Sequence, residues 1–268
     1  MKDQAIAIAS AAADDRAARN RLREYLQHVL LRTMFERDML EDLVFHGGTA
    51  LRILHDLPRF SEDLDFHTRT LGSGYNLGPY LQDLSRDLEQ SGYRVELTPA
   101  LEGNVQSCMV KFVGLLHECG LSPRAEARLN VKLEIDRRPP GGFGVRSHPV
   151  SVYFPFVVHH HDKPSFMAGK LHAILQRPYP KGRDPYDLMF YLLRWEGTEP
   201  NIEYLRQALD QTGYSGEPIS KDNWRRIAAD RLRALPWDRI REDVAPFLLR
   251  AADSKVFQQE LLLQLLQE

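Results

Sequence analysis

The sequence predicts an α+β protein: a mixed sheet with flanking helices over residues 1–160, then a helical domain over 161–268. Three observations predict it. Short apolar runs with period-2 alternation are interleaved with helical patterns in the first half. From about Pro164 onward the pattern becomes helix after helix. Apolar residues make up 43% and charged residues 27% of the 268, the balance of a folded chain long enough to bury a sizeable core.

The elements follow in order. Residues 1 to about 18 are small and polar and read as a frayed or poorly packed helix. Leu22, Tyr25, Leu26, Val29, Leu30 and Met34 recur at helical spacing, which predicts a long amphipathic helix. Leu43-Val44-Phe45 reads as a short buried strand ending at Gly47-Gly48, with Thr49 expected to cap a helix through Arg52 and Leu54. Leu64 and Phe66 alternate with Asp63 and Asp65 as in a strand. Pro79 to Gln90 predicts a helix, and Tyr93–Leu97, Cys108–Val113 and Leu129–Asp136 predict strands. "RRPPGGFG" is a loop or flap, "VSVYFPFVV" a strand, and the His159-His160-His161 run is expected in a loop.

Several classes are disfavoured. Two cysteines eleven residues apart, Cys108 and Cys119, suggest neither a disulfide framework nor a zinc site and fit a reducing cytoplasm. No basic segment precedes an apolar run at the N-terminus, and no apolar run approaches the ~18 to 20 residues that cross a bilayer, so neither a signal peptide nor a membrane partner is expected. The net charge of −2 argues against a uniformly cationic surface but leaves local arginine clusters, such as Arg225-Arg226 and Arg231 with Arg233, open to an anion.

The densest chemistry lies in "FHGGTALRILHDLPRFSEDLDF", Phe45 to Phe66. Asp63 and Asp65 stand at i and i+2 of a predicted strand and project from one face. Two carboxylates so close repel unless a cation or proton lies between them. Beside a phosphate site such a pair suits Mg²⁺ or Mn²⁺, which take one or two carboxylates with substrate phosphates and water. The Gly47-Gly48 turn into a helix supplies that phosphate site, because the backbone can approach closely and the helix dipole favours an anion. Together the elements describe a metal-bound triphosphate with its reacting phosphorus held over the Asp pair. A third acid is required on a neighbouring strand, and "LNVKLEID" offers Glu134 or Asp136 on its polar face, Glu134 being favoured.

"FHGGTALR…PRFSEDLDF" resembles the core signature of the AbiEii-type nucleotidyltransferases, a branch of the DNA-polymerase-β-like superfamily. A second block, "FMAGKLHAILQRPYPKGRDPYDLMFYLLR" from Phe166 to Arg194, is similar to that family's lysine-helix and "KGRD-x-YDL" segments. Pro185 departs from the family, which usually carries an apolar residue there; "RDP" then reads as a helix start with Asp184 near the cap. Relatives often carry Glu-Ile-Asn at the third strand, which again favours Glu134.

The resemblance implies transfer of an NMP from an NTP to an acceptor hydroxyl, by the toxin of a toxin–antitoxin or phage-defence pair. RNA such as tRNA is the implied acceptor, and a separately encoded antitoxin the implied partner. Asp63, Asp65 and Glu134 would hold the metal. Gly47, Gly48 and Thr49 would take the phosphates, with Arg52, Ser61, Lys170 and Arg183 in support. Asp184 or Asp187 would orient Lys170 or accept a proton, and the helical domain would complete the cleft. Transfer to a small molecule or protein, and a non-catalytic binding module, are the alternatives. The arginine-rich C-terminal helices are a candidate acceptor cradle.

Overall fold

The computed structural model describes residues 1–70, 74–179, 181–250 and 252–267. Along the chain run α1 (Lys2–Ser10), α2 (Asp15–Glu36), β1 (Leu43–His46), α3 (Gly47–His55), β2 (Leu64–Thr68), α4 (Leu81–Gln90), β3 (Val95–Ala100), β4 (Val105–Val113), the single turn α5 (Leu115–Glu118), β5 (Arg128–Asp136), β6 (Val145–Val150) and β7 (Phe156–His161). The helical half follows as α6 (Lys163–Gln176), α7 (Arg183–Arg194), α8 (Ile202–Gln211), α9 (Trp224–Arg233), α10 (Trp237–Val244), α11 (Asp253–Val256) and α12 (Gln259–Leu265).

The chain divides into two compact units. The first comprises Met1–Asp56, Phe60–Pro139 and Ser147–His160; the second comprises Leu57–Arg59, Pro140–Arg146 and His161–Glu268. Seven strands form one mixed sheet in the order β3-β4-β5-β2-β1-β7-β6. Strand β1 runs antiparallel to β2 and parallel to β7, while β2 runs parallel to β5. Alternation sorts the faces: Leu129, Val131, Leu133 and Ile135 of β5 are buried, as are Cys108, Val110 and Phe112 of β4. Phe45 stacks on Phe66 with ring centroids 4.9 Å apart on the buried face.

Helix α2 begins earlier than its apolar stripe, because the Asp14 side chain caps it through the amide of Ala17. The N-terminal residues also differ from expectation. They form the ordered helix α1, which packs on α2 with Ala5 and Ala9 buried. In the second unit α6 packs against α7, α8 and α9, and α12 against α7 and α9. Its N-terminus is capped by Asp162, which accepts from the amide of Ser165.

Two expectations in the middle of the chain are corrected. The run read as one strand over 150–158 is two, β6 and β7, separated by residues 151–155. The three histidines lie in β7 rather than a loop: His159 stands opposite Val44 and His160 opposite Phe45.

Candidate active site

Register brings the acids of the first unit together. Asp65 pairs with His46 of β1 on one side and with Glu134 of β5 on the other, and Glu134 in turn pairs with Ser107 of β4. His46, Asp65, Glu134 and Ser107 therefore form one row across four strands, and Asp63 stands just before β2, its charge acting with that of Asp65 on Lys132. Asp63, Asp65 and Glu134 are all half-buried. Asp136 stands one row further along, opposite His67, and its carboxylate accepts the Arg138 amide at 2.9 Å. Burial raises the Asp136 carboxyl, against that hydrogen bond.

The turn before α3 is built around these carboxylates. Gly47 has φ +77°, and a Cβ placed there would lie 2.6 Å from Oδ2 of Asp65. Only glycine meets both conditions. The N-cap of α3 is His46 in extended conformation, without a side-chain cap. The expected cap by Thr49 is thus not formed. Thr49 is fully buried inside the first turn, and its hydroxyl donates to the carbonyl of Asp63. It fastens the residue just before β2 to the first turn of α3.

Gly48 is buried in the first turn of α3, while Arg52 and Ser61 are half-buried. Arg52 donates from Nε to Glu24 at 2.9 Å and lies over the Phe60 ring. The carbonyl of Ser61 accepts from Gln27 at 3.1 Å.

Two neighbours of the acids escaped the sequence reading. Lys132, two residues before Glu134 on the same face, makes an ion pair with it. That hydrogen bond, with the fields of Asp63 and Asp65, outweighs desolvation and raises the Lys132 ammonium. His67 of β2 lies against His46 with ring centroids 3.9 Å apart. Lys132 had a visible signal, since "VKLEID" sets it in alternation with Glu134; His67 follows Asp65 at the same two-residue step.

Among the described residues, no three His, Cys, Asp or Glu side chains form a metal cage by themselves. The donor set still fits Mg²⁺ or Mn²⁺. Asp65 and Glu134 face each other across paired strands, Asp63 stands two residues before Asp65, and such an ion takes the rest of its shell from substrate phosphates and water.

The second unit holds a separate chain of charges. Lys170 on α6 contacts Asp184 at 3.0 Å and Asp187 at 2.8 Å, both on α7. Asp187 is fully buried and receives two hydrogen bonds from Arg59, each 2.6 Å. Burial alone would raise the Asp187 carboxyl, yet Arg59 and Lys170 together hold it below its usual range. Asp184 also pairs with Arg177. Helix α7 starts at Arg183 with Gly182 as its N-cap, so Asp184 stands in the first turn near the cap as "RDP" suggested, although no side chain caps the helix. Arg59 was missed because its partner lies 128 residues away.

Gly182 also explains the glycine of "KGRD", since a Cβ there would collide with the carbonyl of Ile240 at 2.0 Å. Arg183 stacks over Phe247 at 4.3 Å, and Lys181 is exposed.

A glycine-led helix set against an Asp-x-Asp segment, with a third acid in register on the next strand, is an arrangement chemically suited to a metal-bound phosphate. The chain is a nucleotidyltransferase. More particularly, it belongs to the nucleotidyl transferase AbiEii toxin family of type IV toxin–antitoxin systems, whose profile matches residues 28–259. Among solved structures it is similar to a candidate nucleotidyltransferase from H. pylori, at 18% identity and a TM-score of 0.52 over 91% of this chain and 92% of that one. It is also similar to JHP933 from Helicobacter pylori, at 18% identity and a TM-score of 0.47 over 91% and 90% of the two chains. The first likeness bears out the α+β nucleotidyltransferase fold. Comparison with curated proteins finds no match. No helix among the described residues is long and apolar enough to cross a membrane.

Proposed function

We propose that this toxin-family enzyme transfers a nucleotidyl group from an NTP to a hydroxyl of RNA in a reaction dependent on Mg²⁺ or Mn²⁺. In the proposed reaction the acceptor oxygen bonds to the α-phosphorus, the α–β anhydride bond breaks, pyrophosphate leaves, and the hydroxyl proton is lost. The observation that carries the reading is the packing of Gly47 on the Asp65 carboxylate, with Glu134 in register beyond it.

Asp63, Asp65 and Glu134 are the proposed metal ligands. The ion would neutralise phosphate charge and lower the pKa of the acceptor hydroxyl. Glu134 is supported over Asp136 because it stands opposite Asp65, while Asp136 is engaged by the Arg138 amide. Gly47 and Gly48 are proposed to bind phosphate through their amides at the start of α3. Thr49 is proposed to position Asp63, with Ser61 and Arg52 supporting that segment. Lys170 is proposed as a phosphate-binding cation, Asp184 as one of the two carboxylates that orient it, and Arg183 as a further phosphate contact. Rate enhancement would come from positioning and charge neutralisation of an in-line displacement. A cytoplasmic setting, a separately encoded antitoxin and a role in phage defence complete the proposal.

The test is purified protein with Mg²⁺, each α-labelled NTP in turn, and total RNA, beside an Asp63→Ala/Asp65→Ala control. The expected result is labelled RNA that vanishes in the double variant. Label on protein or a small molecule in place of RNA would move the acceptor. No consumption of any NTP by folded protein would overturn transfer altogether.

A further inference from the structure

Strand β5 carries Glu134 near its C-terminal end, and its N-terminal end opens on a basic hollow. The hollow has a volume of about 520 Å³ and is lined by Arg19, Leu116, Ser122, Arg124, Glu126, Ala127 and Arg128. Counted with their ion-pair partners, four arginines (Arg19, Arg94, Arg124 and Arg128) meet two glutamates (Glu96 and Glu126), a local excess of two positive charges. Its rim is open: Arg124 is exposed, and the Arg128 side chain keeps 44% of its surface while pairing with Glu96.

Arg128 and Glu134 lie on one face. Residues 128, 130, 132 and 134 alternate with the buried Leu129, Val131 and Leu133, and the pairing with β4 is continuous from Arg128 to Asp136. Six residues at about 3.3 Å each separate the two ends by roughly 20 Å. That face is open along its length. Asn130 is exposed, Lys111 and Met109 opposite Asn130 and Lys132 are half-exposed, and Thr98 of β3 beyond them is exposed. Arg23 of α2 reaches the carbonyl of Asn130 at 3.4 Å and pairs with Glu62 at 3.5 Å.

From this we infer that the face of β5 between Glu134 and the Arg19–Arg124–Arg128 hollow is the docking track for the phosphate backbone of the acceptor RNA strand. The inference rests on the RNA-transfer reading above and names the surface that reading lacks. A stacked strand advances about 3.4 Å per nucleotide, so roughly six nucleotides span the track. A hydroxyl-bearing end at the acids then leaves the sixth phosphate or so at the hollow.

The arginines of α9 offer less. Arg225 pairs with Glu199, and Arg226 with Glu217 and Asp230, which Arg233 shares. Arg231 is spent on the carbonyls of Ile174 and Arg177. Three surface arginines thus meet three acids, and no excess charge is left for a polyanion.

The test is the affinity of a fluorescein-labelled, unstructured RNA of about a dozen nucleotides, and of a trinucleotide, measured without NTP or metal across a salt series. Arg124→Ala/Arg128→Ala is expected to weaken the longer RNA at least about tenfold and to flatten its log–log salt slope by about 1.4, two lost phosphate contacts at roughly 0.7 each. Trinucleotide affinity and NTP turnover with the trinucleotide should be unchanged, and Arg124→Lys/Arg128→Lys should recover most of the longer RNA's affinity. If the wild type labels RNA and the alanine pair keeps wild-type affinity and slope, the track is wrong while the transfer reading stands. If the wild type neither binds nor labels RNA, both fall.

Discussion

Gly47 and Asp65 are packed so closely that no side chain fits between them: a Cβ on Gly47 would sit 2.6 Å from the carboxylate oxygen of Asp65. The turn and the acidic strand are therefore one construction, and the glycine is held by two separate demands. Its φ of +77° costs an L-residue about 1–2 kcal/mol, and the carboxylate blocks the space a methyl group would need. Gly47→Ala should lower stability by about that amount and swing the Asp65 carboxylate away from its place beside Glu134. Nucleotidyl transfer should fall about a hundredfold, the scale of a 1 Å misplacement. Rate and thermal unfolding of the same preparation check this; an alanine variant with wild-type turnover would show that the contact is not needed.

Thr49 ties the same two elements from inside the helix. Its hydroxyl donates to the Asp63 carbonyl from a fully buried position, so Thr49→Val keeps the shape and deletes one hydrogen bond. The expected loss is about 1–2 kcal/mol with the carbonyl left unsatisfied. Thr49→Ser should restore most of it. A phosphate-binding hydroxyl would instead raise the KM for NTP with little change in unfolding, and steady-state kinetics beside denaturation curves separate the two roles.

What could be read from sequence was what lies close together along the chain. Gly47, Asp63 and Asp65 fall within nineteen residues, and the strand period alone puts the two aspartates on one face. Glu134 was found because its strand alternates cleanly. Strand β6 escaped because it is the outermost strand, with every residue but Val150 exposed and Pro149 near its end, so it carries no apolar alternation to detect. The β7 histidines looked like loop residues for a related reason. Polar side chains are tolerated in that strand because His160 and His161 are buried among aromatic and imidazole rings. Thr49 fits the local rule for a helix cap, yet its hydroxyl serves a strand fourteen residues on, which no local rule reports.

The pairing of Arg59 with Asp187 had no local signal, although Asp187 itself stood out as a candidate partner of Lys170. Both are essentially without solvent, and two 2.6 Å hydrogen bonds join them while Asp187 also holds Lys170. Removing one partner of a buried pair leaves an uncompensated charge, so Arg59→Met should cost about 3–5 kcal/mol. Arg59→Lys should recover only part, since an ammonium cannot make the two parallel bonds. Chemical denaturation measures both. An Arg59→Met protein within about 1 kcal/mol of wild type would mean that Lys170 alone satisfies Asp187.

His28 sets an acid limit on the first unit. It lies on α2, nearly without solvent, its ring edge-on to Tyr153 at 5.0 Å and near Phe156 at 6.1 Å; its Nδ1 is buried without a hydrogen-bond partner. Burial, with a smaller push from the Arg52 charge, lowers its pKa from 6.5 to about 4. The folded state thus keeps the imidazole neutral where the unfolded chain would protonate it. Between those two values the unfolded state binds more protons, so stability is whole above about pH 6.5 and declines as pH falls toward 4. A gap of this size is worth about 3 kcal/mol once both values are passed. Carboxylates titrate over the same range, so the quantity to measure is the difference between wild type and His28→Leu, which has a similar bulk and no charge to gain. That difference should be small at pH 7.5 and should grow in favour of the leucine variant down to pH 4. A difference that stays constant over the range would mean that His28 finds a partner for its proton inside the fold.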